Sequence, residues 1–216
     1  MPSSIRLLGL IAAIAATMSL TLGSHTALAA PTGQDLFQKC INCHGQQGHG
    51  NQLYLAPGIA GLPSWYVELQ LTNFKQNIRG NHYDDIAGHR MRPMARMLKT
   101  QAEIGSVAKY VATLKPAPVK PVLDGDPGAG QAAYVTCTAC HGADGKGNQA
   151  LGAPDIRFTG DWYLLAQLKK FKSGKRGANP KDIKGATMRP MAMTLANEQA
   201  MKDVIAYIMT LAKTRK

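Results

Sequence analysis

The chain reads Cys40-Ile41-Asn42-Cys43-His44 and then, 97 residues later, Cys137-Thr138-Ala139-Cys140-His141. These are the only four cysteines in 216 residues. Paired thiols followed at once by histidine form the attachment motif of c-type haem. The spacing has a chemical reason. Two thiols on adjacent turns of a short helix add to the two haem vinyl groups as thioethers, and the next residue lies under the ring and offers its imidazole to iron. Two other readings use the same cysteines. A thioredoxin-like redox pair does not need the following histidine. A four-cysteine zinc site would not need it twice, and would have to gather two knuckles 97 residues apart. Two covalently bound haem c groups, each with one iron, are therefore expected, held by Cys40, Cys43 and His44 and by Cys137, Cys140 and His141.

The same offset of 97 maps much of the remaining chain onto itself without a gap. Ala56-Pro57 becomes Ala153-Pro154, Trp65-Tyr66 becomes Trp162-Tyr163, and Phe74-Lys75 becomes Phe171-Lys172. Arg79-Gly80 becomes Arg176-Gly177, and Met91-Arg92-Pro93-Met94-Ala95 becomes Met188-Arg189-Pro190-Met191-Ala192. This is a tandem duplication of two small domains. The expected organisation is a leader at residues 1–30, a first domain at 31–116, a proline-rich linker at 117–127 and a second domain at 128–216. The leader has Arg6 as its only charge, an apolar run from Leu7 to Leu22 and an Ala-x-Ala site, the pattern of a secretory signal peptide cleaved after Ala29 or Ala30. A retained anchor is the alternative, although the run is short for a span of about 20 residues.

Composition agrees with this division. A hydrophobic fraction of 45% with only 18% charged residues excludes a disordered chain, and two cysteine pairs exclude a dense disulfide scaffold. Domains of about 85 residues have marginal cores of their own. A covalent haem in each supplies apolar bulk that an aromatic content of 6% does not. The patterning is helical: Ile104, Val107, Ala108, Val111 and Leu114 form one apolar stripe, and Met201, Val204, Ile205, Ile208 and Leu211 its counterpart. Thr100 and Glu103 are expected to form a capping box, Asn197 an N-cap, and Trp65 to Ile78 a helix. No segment alternates as a strand. The fold class is all-α.

Each iron needs a second axial partner or an open position. His49, His82 and His89 map to Lys146, Asn179 and Ala186, so a second histidine is not available to both sites. The methionines do map, Met91 with Met188 and Met94 with Met191. His/Met ligation raises the reduction potential relative to bis-histidine ligation. Spacing alone does not choose between the two methionines. The proline in Met-Arg-Pro-Met argues against an ordinary core helix there.

Two tandem Cys-x-x-Cys-His units, each followed by a Pro-containing loop, a Tyr-bearing helix, a Met-Arg segment and a terminal Tyr-containing helix, resemble the dihaem cytochromes c4. The resemblance covers the whole chain after the leader. It implies two class I cytochrome c domains with haem propionate edges facing each other. It also implies that the ligand is the methionine opening its segment, Met91 and Met188, with Met94 and Met191 as alternatives. Pro57 and Pro154, each 13 residues after its histidine, would accept the proximal imidazole N–H. Arg79 and Arg176 would pair with propionates, and Tyr66, Tyr163, Trp65 and Trp162 would cover the haem edge. The function implied is that of a periplasmic electron carrier and not an enzyme. Its donor would be a quinol-oxidising complex or a dehydrogenase, its acceptor a cbb3-like terminal oxidase or a reductase. The alternative is a dihaem redox enzyme or a haem subunit of a periplasmic dehydrogenase, of peroxidase or thiosulfate dehydrogenase type.

The formal charge of +12 is uneven. Residues 31–116 carry nine Lys/Arg against five Asp/Glu, and residues 128–216 carry fourteen against six. Lys169, Lys170, Lys172, Lys175, Arg176, Lys181 and Lys184 are expected to form a basic face that steers an acidic redox partner, with an anionic membrane surface as a second candidate. Nucleic acid is not expected as a partner of an exported protein.

Overall fold

The computed structural model describes residues 30–212; the expected signal peptide lies outside these residues except for Ala30. Ten α-helices and one short 3-10 turn make up the regular structure of this part. Among the described residues the only β features are two isolated bridges, Asn51 with Ala56 and Asn148 with Ala153, which close equivalent loops in the two halves.

The first half contains α1 (Gly33–Phe37), α2 (Ile41–His44), α3 (Ser64–Lys75), α4 (Ile86–Arg96) and α5 (Gln101–Thr113). The second contains α6 (Pro127–His141), α7 (Asp161–Lys172), α8 (Ile183–Ala186), α9 (Met188–Met193) and α10 (Glu198–Leu211). Each half has its own hydrophobic core. In the first, the stripe Ile104, Val107, Ala108 and Val111 of α5 packs on Leu36, Phe37, Val67 and Leu98. In the second, Met201, Val204, Ile205 and Ile208 of α10 pack on Tyr134, Leu165 and Leu195. Each fully buried side chain of this kind contributes roughly 1.5–3 kcal/mol. Phe37 against Tyr110, with ring centroids 5.3 Å apart, is repeated by Tyr134 against Tyr207 at 5.2 Å. The extra hydroxyl in the second copy donates to the Gly142 carbonyl at 2.8 Å, so it is not left bare in the core.

Helix ends follow local chemistry. Asn197 accepts from the Ala200 N–H as expected. Thr100 accepts from Glu103 N–H, but the Glu103 carboxylate turns one residue further back, to Lys99 N–H at 2.6 Å, so the expected box is half closed. A full box forms instead between Thr32 and Asp35. The helix expected to reach Ile78 ends at Lys75, because Asn77 takes a left-handed conformation with φ of 60°. The Met-Arg-Pro-Met segment is helical, contrary to expectation. Pro93 sits inside α4 and removes the amide that would have donated to His89, a loss the helix tolerates between its Asp85 cap and Ala95 buried in the core.

The linker is not a free tether. Val119 and Leu123 pack on the second core. Asp161, buried on the first turn of α7, accepts from the N–H groups of Val122 and Leu123 at 2.6 and 2.8 Å. Pro127, expected in the linker, is the first residue of α6, with Asp126 as its N-cap. No described helix is long and apolar enough to cross a membrane.

Candidate haem sites and the interface between them

His44 ends α2 and His141 ends α6, each followed by a glycine with positive φ that turns the chain away. The two histidines are buried. His44 Nδ1 donates to the Pro57 carbonyl at 2.8 Å, and His141 Nδ1 to the Pro154 carbonyl at 3.0 Å. A carbonyl oxygen only accepts, so Nδ1 carries the proton and the Nε2 lone pair is free for a metal. Burial, only partly offset by the proline carbonyls, holds both imidazoles below their ordinary pKa, which keeps them neutral. The four thiols are unbridged, Cys40 and Cys137 half-buried and Cys43 and Cys140 exposed. Burial pushes the Cys40 thiol up to about 11, the opposite of the depressed value of a thioredoxin-like nucleophile.

One continuous cavity, partly open to solvent, runs through both halves. His44 and Met91 line it in the first half; His141, Met188 and Met191 line it in the second. Met94 does not. Its walls are otherwise mostly apolar, with Leu62, Val67 and Phe74 in one half and Leu164, Phe171 and Ile205 in the other. Tyr66 and Tyr163 also line it, whereas Trp65 and Trp162 do not. Each tryptophan packs edge-on against its neighbouring tyrosine, and Trp162 faces a small second cavity against the linker. The spare histidines His49, His82 and His89 are not among the residues that line this cavity.

Arg79 and Arg176 are buried at the junction of the two halves and line the same cavity. Arg79 donates to Gln70 Oε1 at 2.6 Å in its own half, and to Tyr163 Oη at 2.8 Å and Gln167 Oε1 at 3.0 Å in the other. Arg176 repeats this in mirror order, donating to Gln167 Oε1 at 2.9 Å, Tyr66 Oη at 3.1 Å and Gln70 Oε1 at 3.0 Å. Each guanidinium also lies over a phenyl ring of its own half, Phe74 at 4.6 Å and Phe171 at 4.5 Å. Sequence reasoning missed Gln70 and Gln167, although they are identical across the 97 offset and so were open to the same test as the tyrosines. The glycine after each arginine is required. A Cβ on Gly80 would lie 2.5 Å from the Gly88 carbonyl oxygen, and one on Gly177 would lie 2.5 Å from that of Gly185.

Asp85 and Asp182 cap α4 and α8 and complete the junction. Asp85 accepts from the Gly88 N–H at 2.9 Å and pairs with Lys170 at 2.5 Å, while Asp182 accepts from the Gly185 N–H at 3.1 Å and from Asn73 at 3.3 Å. Asn73 is the counterpart of Lys170, so one side of the junction is an ion pair and the other a hydrogen bond from a neutral amide to a carboxylate. Ion pairs cancel three of the seven charges of the basic face expected on the second half. Lys170 and Lys175 pair with Asp85 and Asp84 of the first half, and Lys169 pairs with Glu198. Lys172 donates to the Leu195 and Ala196 carbonyls, Lys184 to that of Ala150, and Arg176 is buried. Of the seven, Lys181 alone has a side chain with no such partner among the described residues.

The cytochrome c family model matches residues 30–115 and again residues 128–212. The chain belongs to the cytochrome c family. A cytochrome c-552 of Acidithiobacillus ferridurans is 30% identical over 92% of this chain and 83% of its own. A thiosulfate dehydrogenase electron acceptor of Thiomonas intermedia is 31% identical over 77% of each chain. The solved cytochrome c4 of Acidithiobacillus ferrooxidans superposes with a TM-score of 0.66 at 27% identity, covering 81% of this chain and 99% of that one. The two domains bind two covalent haem c groups, and the chain is a dihaem electron-transport cytochrome.

The residues present fit those groups. Two buried guanidiniums face the cavity without an ion pair to any carboxylate among the described residues, and the Arg176 Nε has no hydrogen-bond partner. Buried charge of this kind calls for an anion, and each haem carries two propionate carboxylates.

Proposed function

We propose that this cytochrome is a periplasmic carrier that takes electrons from a dehydrogenase or quinol-oxidising complex and hands them to a cbb3-like terminal oxidase or a reductase. In this reading Cys40 and Cys43 would hold the first haem as thioethers, and His44 and Met91 would ligate its iron. Cys137 and Cys140 would hold the second, with His141 and Met188. The observation that carries the reading is the pairing, in both halves, of a histidine fixed by a proline carbonyl with a methionine lining the same cavity. Bound haem supplies a reversible one-electron iron couple. The chain's own residues exclude water with apolar walls and orient the imidazole through Pro57 or Pro154. They also compensate the propionate charge through Arg79 and Arg176.

Two irons held by His and Met on both faces would leave no position for substrate, which favours a carrier over an enzyme. The relative named as an electron acceptor of a thiosulfate dehydrogenase supports a periplasmic dehydrogenase as donor. The leader at residues 1–30 supports export, and the domains are taken as 31–116 and 128–216 around a linker ending at Asp126. Intact mass of the protein from a periplasmic fraction tests the leader: loss of residues 1–29 or 1–30 is expected. The ferric visible spectrum tests the ligands. A Met–iron charge-transfer band of two-haem intensity, with no cyanide binding at rest, is expected. High-spin iron or cyanide binding at rest would replace the carrier with a dihaem enzyme.

A further inference from the structure

The junction holds two cations where one would already be costly. Arg79 and Arg176 share both of their amide acceptors. Gln70 Oε1 receives one N–H from each guanidinium, and so does Gln167 Oε1. The four side chains therefore close a ring in which neither positive charge belongs to one half. The tyrosines extend it crosswise, Tyr163 to Arg79 and Tyr66 to Arg176. All six residues line the cavity that the two haem groups would occupy. The field at this point is strong. Burial would push the Tyr163 phenol up, yet Arg79 and Arg176 outweigh it and hold the group below its ordinary value. The nearest acid felt by Arg79 is Asp85, which is already engaged by Lys170 and the Gly88 amide.

We propose that the ring of Arg79, Gln70, Arg176 and Gln167 ties the reduction potentials of the two haems together, each guanidinium acting on both irons. An arginine that served only its own domain would set one potential and leave the other alone. Here each fork has one nitrogen bonded at home and the other bonded across the junction. Oxidised haem carries one more positive charge than reduced haem, so a shared cation raises both potentials together. In a low-dielectric junction that coupling is screened far less than between surface charges. Gln70 and Gln167 are positioning residues: they act by bonding both guanidiniums at once.

The inference rests on the carrier reading, and one experiment separates their failures. Spectroelectrochemical titration, with each haem followed by its own NMR methyl resonances, is done on haem-loaded wild type, Arg79→Gln and Gln167→Glu. Arg79→Gln removes one cation. Gln167→Glu keeps the shape of the ring and adds a carboxylate between the two cations, so it carries the test if Arg79→Gln fails to fold. Both variants are expected to lower both midpoints, the smaller shift at least half of the larger. A variant that moves only the midpoint of its own domain overturns the ring. A wild type without two reversible one-electron couples overturns the carrier reading instead.

Discussion

The two halves of this molecule are copies offset by 97 residues, and they differ in instructive places. The histidine–proline bonds, the Arg-Gly turn, the Asp cap of the methionine helix and the Phe under the arginine are present twice with nearly the same distances. The helices around them are not. The first attachment motif lies on two short helices, with residues 38–40 tightened into a turn, while the second ends one helix of 15 residues. The second copy has Ala132 and Ala139 where the first has Asp35 and Asn42, and alanine favours a continuous helix. The methionine segment shows the reverse. It is continuous in α4, but broken between α8 and α9 at Thr187, whose hydroxyl bonds back to the Lys184 carbonyl; Arg90 stands at the equivalent position. The cavity geometry is thus repeated more closely than the scaffold that carries it.

The largest test of the comparison is at the methionines. Only Met91 lines the first half of the cavity, whereas Met188 and Met191 both line the second. Met91→Leu is expected to abolish the charge-transfer band of the first haem and to lower its midpoint by more than the equivalent of a tenfold change in redox equilibrium. Met188→Leu is expected to retain part of the second haem's band, because Met191 is placed to substitute. Equal, complete losses in both variants would remove that distinction.

A smaller difference is expected at the junction. Asp85 faces Lys170, and Asp182 faces Asn73. Asp85→Ala leaves a largely buried ammonium unpaired and should cost about 3 kcal/mol of stability. Asp182→Ala removes a helix cap and a hydrogen bond from neutral Asn73 and should cost less, about 2 kcal/mol. Burial works against the Asp85 charge, but Lys170, the Gly88 amide and Arg79 outweigh it and pull its pKa down. The sign follows from that direction: the stabilisation is present above the ordinary carboxylate value of about 4 and is lost as pH falls through the lowered one. Asp85→Asn removes that titrating group, so unfolding stability should depend less steeply on acid pH than in wild type.

Asp161 gives the next contrast. It anchors the linker through two amides, while its counterpart Ser64 has no such load. Asp161→Ala strands two half-buried N–H groups and should cost about 2 kcal/mol, with faster proteolysis within residues 117–126. Ser64→Ala should do neither.

Much of this was legible in the sequence, for definite reasons. The attachment residues, the carbonyl-bearing prolines and the methionine segments have fixed spacings from one another, and the duplication doubled each signal. The helix stripes of α5 and α10 were legible because their apolar period is regular. What was not legible depends on contacts between residues far apart in the chain. Lys170 reads as surface charge until Asp85 is seen beside it, 85 residues away. Gln70 and Gln167 carry no motif and acquire a role only where two domains meet. Asp161 looks like a helix-start acid, and its two linker amides lie 38 and 39 residues before it.

The smallest expected effect concerns the charge that composition placed on the second half. Surface charge steers an encounter only when it is free to project a field, and an ion pair projects mainly a dipole. Lys175 is tied to Asp84 and Lys169 to Glu198, so their net fields are weak, whereas Lys181 stands unpaired among the described residues. Lys181→Glu should therefore lower the second-order rate of electron transfer to an acidic partner about two- to threefold at low ionic strength, and the difference should fade as the Debye length shrinks toward roughly 8 Å at physiological salt. Glu198→Gln frees Lys169 and should raise the rate by a similar factor, because it restores the field that the pair cancels. Stopped-flow rates across ionic strength distinguish this from a face of seven independent cations, for which every single substitution would give the same slope and neither partner acid would matter.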